Sequence, residues 1–435
     1  MNRQILRLSV PNIITNITVP LLGIVDLAMM GHLGNPVFIG AIAIGSTIFN
    51  IIYSGFAFLR MGTSGFTAQA FGASQNKEIS LILYRSLSVG LLLAILLILF
   101  QQPIQWLAFK LLDGSPEVTV LAREYFFIRI LAAPATLSLY ALFGWFLGLQ
   151  NAKIPMILAI VINLVNISLN FVFIFGFGMK SDGVAMASVL AQYSGLLLAI
   201  ILLFSKYKSY LKKFALAVIF QIEALKKFFR VNADIFIRTL LLLFVLAFFT
   251  SKSAEMGNDI LAVNTLLFQF FFIFSYFADG FAFAGEALAG KAKGANDARL
   301  LRATVKHLFY WGGGAALAFV LLFGIAFNPL LYTLTDSEQL TALAQQYKYW
   351  IIFLPLSSFA AFIWDGIYIG ITASKAMRNS MIAAALLVFL PSYYIGAQLI
   401  GNHSLWLALH LFMISRGVLL WRLSNKAIYF QIPSF

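Results

Sequence analysis

Cysteine is missing from all 435 residues, which excludes disulfides, thiolate metal ligands and a cysteine nucleophile. Charge is the next scarcity: Asp, Glu, Lys and Arg make up 11% of the chain, against about 25% in a soluble protein. Acids are the thinner half, 16 against 30 Lys and Arg. The four histidines, His32, His307, His403 and His410, lack metal-ligand spacing and read as interfacial or packing residues. The stretches R-M-G-T-S-G and A-L-A-G-K-A-K-G contain no G-K-[ST], so they are not phosphate loops; their glycines suit close helix approach. No Ser/His/Asp arrangement and no Asp-rich diphosphate motif stands out, which leaves a membrane enzyme without a catalytic constellation.

Hydrocarbon fills the space: 61% of residues are hydrophobic, among them 44 Phe for lipid-facing surface, core and an apolar cargo pocket. Twelve apolar segments follow one another, at 9–31, 38–70, 85–107, 121–149, 154–176, 183–204, 232–252, 260–289, 305–327, 343–371, 379–400 and 404–424. A spanning helix needs roughly 20 such residues, so the fold class is an all-α polytopic membrane protein of twelve transmembrane helices. The net charge of +14 does not point to nucleic acid, because the basic residues lie between apolar runs and not on one patch. With the N-terminus inside, the even-numbered connections hold Lys77, Lys153, the run from Lys206 to Arg230, Lys291, Lys293, Arg299, Arg302, Lys306, Lys375 and Arg378. Both termini are therefore expected in the cytoplasm. Arg3 and Arg7 ahead of an apolar core mimic a signal peptide, but that core is too long, carries Asp26 and lacks an A-x-A site, so it reads as a retained span.

The polar connection 205–231 separates an N-lobe, 1–204, from a C-lobe, 232–435, each with six spans. The halves match at an offset of 222 residues: L-A-R-E-Y from Leu121 on L-A-Q-Q-Y from Leu343, and Gly144, Gly148 and Lys153 on Gly366, Gly370 and Lys375. Glycines and a loop lysine in register indicate internal duplication. Six spans is an even number, so both repeats enter the membrane in the same sense. The two lobes are then related by a pseudo-two-fold along the membrane normal, with a cleft between them, as in transporters.

Polar residues within spans carry the candidate chemistry. Asp26 is the only charge between Arg7 and Arg60. An ionised Asp in mid-helix costs about 2.5–3.5 kcal/mol, so it either takes up a proton when desolvated or is held by a permanent partner that fixes helix packing. Pro11 and Pro20 remove backbone donors and let this helix bend. Asn163, Asn166 and Asn170 share one face of the fifth span, for cargo, for Asp26 or for interhelical packing. Asn50, Tyr53, Arg60, Ser64 and Thr67 line one face of the second span. Ser275, Asp279 and Glu286 do so on the eighth, with Asp234, Arg238 and Asp365 near the same surface. These charges form either a gate network on the cytoplasmic side or part of the transport path, and Arg60 is expected to pair with Asp279 or Glu286 across the lobes when the inner side is closed. Arg129 lies in the outer half with Asp26, where it either pairs with that carboxylate or snorkels outward.

P-L-L-G-I-V-D-L-A-M-M-G-H-L-G, F-L-R-M-G-T-S-G-F-T-A-Q-A-F-G, N-A-D-I-F-I-R-T-L and D-G-F-A-F-A-G-E-A-L-A-G together resemble the DinF-type branch of the multidrug and toxic compound extrusion (MATE) transporters, over nearly the whole chain. The resemblance implies two six-helix lobes and alternating access. It implies export of amphipathic, often cationic small molecules in exchange for H⁺ or Na⁺, from a monomer among inner-membrane lipids, with no other cofactor and no nucleic-acid partner. It further implies that Asp26 couples to the cation and that Pro11 marks a bend. Asn166 matches a polar partner in that network, and Asn170 stands where many relatives carry a second Asp. A lipid or lipid-linked precursor flippase of related two-lobe fold is the alternative.

Overall fold

The computed structural model describes residues 1–31, 36–112 and 114–425; within the first helix the side chains of residues 19, 21, 22, 24, 26–28 and 30–31 are outside the described set. Every predicted segment is helical, and no strand occurs among the described residues. In order the helices are α1 (Asn2–Gly31), α2 (Pro36–Gly55), α3 (Phe58–Gly72), α4 (Asn76–Leu99), α5 (Gln101–Leu111), α6 (Pro116–Arg129), α7 (Ala133–Gly148), α8 (Lys153–Phe171) and α9 (Ser181–Lys206). After them come α10 (Leu216–Ile219), α11 (Ile222–Glu255), α12 (Asn258–Gly294), α13 (Ala298–Tyr332), α14 (Glu338–Gly370), α15 (Ser374–Ala383), α16 (Leu390–Ile400) and α17 (His403–Ser424). Eleven stretches beyond α1 are long and apolar enough to cross a membrane.

Helix breaks follow local chemistry. Pro134 and Pro391 each lack a donor and crowd the carbonyl four residues back. The turns before them are a 3₁₀ turn at Ile130–Ala132 and a π turn at Ala384–Phe389. The second span breaks at Phe56–Ala57, just past Gly55. Asp297 and Ser337 cap α13 and α14 by accepting from Leu300 N (2.8 Å) and Leu340 N (3.3 Å). Boundaries differ most from expectation in two spans: the third begins at Asn76 and ends at Leu99, with residues 101–111 a separate helix, and the seventh begins at Ile222. Polar side chains at those helix starts hid a helix that hydropathy alone began later.

The chain divides into two compact units, residues 14–229 and residues 1–13 with 230–435. Duplication is visible inside each unit separately. A Cβ at Gly144 would collide with the Arg60 carbonyl of α3, and one at Gly148 with Thr67 and the Ser64 carbonyl. In the other unit, a Cβ at Gly366 would collide with the Ala282 carbonyl of α12, and one at Gly370 with that of Glu286. Positions 60, 64, 144 and 148 shift by the repeat offset onto 282, 286, 366 and 370, so both crossings use the same backbone-to-backbone contact. The helix ends repeat as well: left-handed residues stand at Ser74 (φ 56°) and Asn296 (φ 52°), and at Gln150 (φ 63°) and Thr372 (φ 53°).

Within the unit of residues 14–229, the connection after α9 is tied to α4. Arg85 donates to the carbonyls of Ile219 (2.9 Å) and Val218 (3.3 Å), Tyr84 donates to that of Lys212 (3.1 Å), and Ser80 donates to that of Tyr210. In the other unit, aromatic rings fill the core, with Phe249 edge-on to both Phe268 (4.7 Å between centroids) and Trp406 (5.0 Å). His403 accepts from Trp350 Nε1 at 2.9 Å and His410 bonds the Trp350 carbonyl at 2.9 Å, packing roles as expected.

Candidate transport site

The amide face of α8 is built as its periodicity predicts. Asn170 donates to Asn166 Oδ1 at 2.9 Å, and Asn166 donates to Ser188 Oγ of α9 at 3.0 Å. Both asparagines are buried. Asn163 reaches another helix, donating to the Thr18 carbonyl of α1 at 3.0 Å. Amides are thus turned into the bundle, where partners offset their desolvation. The Asp26 side chain lies outside the described residues, while its backbone belongs to α1, which runs as one helix through Pro11 and Pro20.

The second-span residues do not share one continuous face, because the break at Phe56–Ala57 assigns them to two helices. Asn50 is exposed and Tyr53 buried on α2; on α3, Arg60 is half-buried, and Ser64 and Thr67 are fully buried beneath Gly148. The Arg129 guanidinium lies over the rings of Phe49 (5.5 Å to the centroid) and Tyr53 (5.6 Å), whose faces attract a cation. Among the described residues no carboxylate pairs with it.

In the other unit, the charges sort by helix rotation and not by sequence spacing. Asp234 and Arg238, four apart on α11, have different partners. Asp234 accepts from Arg378 at 2.6 Å and from Ser374 at 2.8 Å. Arg238 and Arg416 both donate to Oδ2 of Asp365, forming a buried Arg–Asp–Arg triad across α11, α14 and α17. Asp279 is close enough to Arg416 to act on it electrostatically. On α12, Ser275 and Glu286 are buried and Asp279 is half-buried.

Sequence reasoning missed Arg416, although it is the one charge in the interior of the twelfth segment, Arg422 lying at its end, and could have been found by that count. It also missed a second polar knot. Asn264 donates to Ser253 (2.7 Å) and Asn402 (2.7 Å), and accepts from Asn402 (3.0 Å) and Trp406 (3.0 Å), which fills all four of its hydrogen-bonding positions. A hollow of about 340 Å³ between α16 and α17, walled by Ile395, Leu399, Leu407 and Leu411, contains none of these polar residues.

Residues 11–172 and 235–395, one stretch from each repeat, match the MatE family model. DNA damage-inducible protein F of Escherichia coli K12 is 37% identical over 433 residues, covering 97% of this chain and 92% of that protein. Among solved structures, a MOP superfamily transporter from Pyrococcus furiosus superposes with a TM-score of 0.89 at 21% identity, over 99% of this chain and 96% of that one. The Vibrio cholerae MATE transporter VcmN in its bent form gives 0.89 at 18% identity, over 99% and 97%. These superpositions speak for the fold, two six-helix lobes. Family match and close relative together carry the conclusion: the chain belongs to the MatE family, multi-pass membrane transporters of multidrug and toxin efflux that are not enzymes and need no cofactor.

Proposed function

We propose that this chain is a secondary antiporter of a bacterial inner membrane, monomeric, with both termini in the cytoplasm. It exports amphipathic and cationic small molecules by alternating access of its lobes, 1–204 and 232–435, in exchange for H⁺ or Na⁺ at Asp26, with Asn166 and Asn170 as polar partners. The observation that carries this reading is the hydrogen bond from Asn163 to the Thr18 carbonyl. It fixes the register of α8 against α1. Both are odd-numbered crossings and run in the same sense. At equal rise per residue, about two turns past that bond lies Asp26 on one helix and Asn170 on the other. A carboxylate level with a chain of buried amides can exchange a cation without a second acid. Asn50, Tyr53 and Asn163 then border the cargo, and Arg60, Asp234, Arg238, Asp279, Glu286 and Asp365 serve the cytoplasmic gate.

Deprotonated, Asp26 attracts cationic cargo; protonated or Na⁺-bound from outside, it releases that cargo. One charge moving through 100 mV supplies about 2.3 kcal/mol, enough for a gradient of roughly 50-fold. A one-for-one swap of H⁺ for a monovalent cation moves no net charge, so ΔpH alone would drive it. The test is efflux of a fluorescent cationic dye from proteoliposomes under ΔpH or ΔNa⁺ imposed separately. Asp26→Asn, at matched reconstitution, should abolish ion-driven efflux. Wild-type pumping by that variant would make Asp26 structural and move the coupling site to Asp279, Glu286 or Asp365.

A further inference from the structure

The unit of residues 14–229 holds a second polar feature that cation exchange does not use. Three buried hydrogen-bond groups lie about the Tyr53 ring: the Tyr53 hydroxyl, Arg129 Nη1 and the Thr136 hydroxyl. Arg129 and Thr136 both border the Tyr53 hydroxyl. Even so, none of the three makes a hydrogen bond of ordinary geometry with any described residue. Tyr53 and Thr136 are 7% and 5% exposed, so solvent does not satisfy them from outside. All three can donate, the two hydroxyls can also accept, one group is a permanent cation, and no carboxylate among the described residues answers it. Rings complete the surroundings. Phe49 and Tyr53 lie under the guanidinium, and Phe49 stacks on Phe126 at 5.3 Å. Access is available on one side, because Arg129 as a whole is only half-buried and Asn50, one turn before Tyr53, is exposed.

Donors converging beside a buried guanidinium nitrogen, with no carboxylate among the described residues, are what an oxyanion needs. An ammonium there would be opposed by the Arg129 charge. We propose that Arg129, Tyr53 and Thr136 form a subsite for the oxyanion head (carboxylate, sulfonate or phosphate) of an amphipathic ligand whose apolar body lies against Phe49 and Phe126. Resting on the efflux reading above, this extends the cargo from cations to zwitterionic and anionic amphiphiles. The same chemistry could come from a solute or from an anionic phospholipid head, and the experiment separates the two.

The measurement is equilibrium binding of 11-(dansylamino)undecanoic acid to purified protein in phosphatidylcholine nanodiscs, with its methyl ester as the uncharged control and no ion gradient. Wild type should bind the acid at least tenfold more tightly than the ester. Arg129→Gln should abolish that preference, and Arg129→Lys should keep part of it. Tyr53→Phe, which retains the stacking ring, and Thr136→Val should each reduce it several-fold; these two carry the test if Arg129→Gln does not fold. Loss of acid binding when phosphatidylglycerol enters the nanodisc assigns the subsite to a lipid head, and undiminished binding assigns it to a solute. Equal affinity for acid and ester in wild type, or a preference that survives Arg129→Gln, overturns the proposal. Because no gradient is applied, such a failure leaves cation-coupled efflux standing, and loss of efflux leaves this binding result standing.

Discussion

Replacing Asp365 by Asn keeps the shape of the buried triad and removes its only negative charge. Arg238 and Arg416 would remain, with side chains 10% and 3% exposed, facing one another without their shared counter-ion. At an effective dielectric constant of about 20, a unit-charge attraction across about 4 Å is worth about 4 kcal/mol. Desolvation already offsets much of that in the intact triad, so the observable quantity is the cost of leaving cations buried and unanswered, about 3–5 kcal/mol. Arg416→Met is the informative partner. It leaves a neutral Asp365–Arg238 pair and adds apolar volume, so it should cost less than half as much. Both costs can be read from thermal or SDS-induced unfolding of purified protein, followed by tryptophan fluorescence. The reasoning fails if Asp365→Asn unfolds like wild type, or if Arg416→Met is the more damaging change.

Three further outcomes follow from packing. Gly144→Ala and Gly366→Ala should damage folding to a similar degree, seen as reduced monodisperse yield, because each methyl meets a carbonyl that cannot move alone. Gly324→Ala, where nothing lies within 4 Å, should instead stabilise by about 0.4–1 kcal/mol through the unfolded chain, raising the melting temperature. Asn264→Asp turns two satisfied donors into repelled acceptors beside Asn402 and Ser253. It should lower stability by about 1–3 kcal/mol at neutral pH, and acidification that protonates the carboxyl should recover part of the loss.

Much of this architecture was legible because helix periodicity and internal repetition are properties of the chain itself. The three-amide face of α8 needed only the 3.6-residue period. Gly144, Gly148, Gly366 and Gly370 marked the crossings because matching glycines at matching positions have few other uses. Partner choice was not legible. Arg238 selects Asp365, 127 residues away, over Asp234 on its own helix, and that selection depends on how each helix is rotated about its axis. Depth counted along a span carries no such angle, so Arg129 could be placed beside Asp26 in height but not under Phe49 in direction. The break between α2 and α3 was hidden because apolar residues continue across it.

The clasp between α4 and the connection after α9 bears on how the molecule can be handled. The stretch from Tyr207 to Phe220, with Lys208, Lys212 and Lys213, belongs to the long connection after α9, the place where a fluorescent tag, an epitope or a protease site would ordinarily be inserted. Its carbonyls are nevertheless occupied by Ser80, Tyr84 and Arg85, and the rings of Tyr207 and Tyr210 meet the edge of Trp145 at 5.4 and 6.0 Å. Burial pushes the Tyr207 hydroxyl above its ordinary pKa, so it stays a neutral phenol and accepts from Asn151. An insertion there would strip Arg85 of two acceptors and uncover an indole. A label reports on this transporter with less disturbance at Ser205 or Gln221, on either side of the clasp, where both residues are exposed.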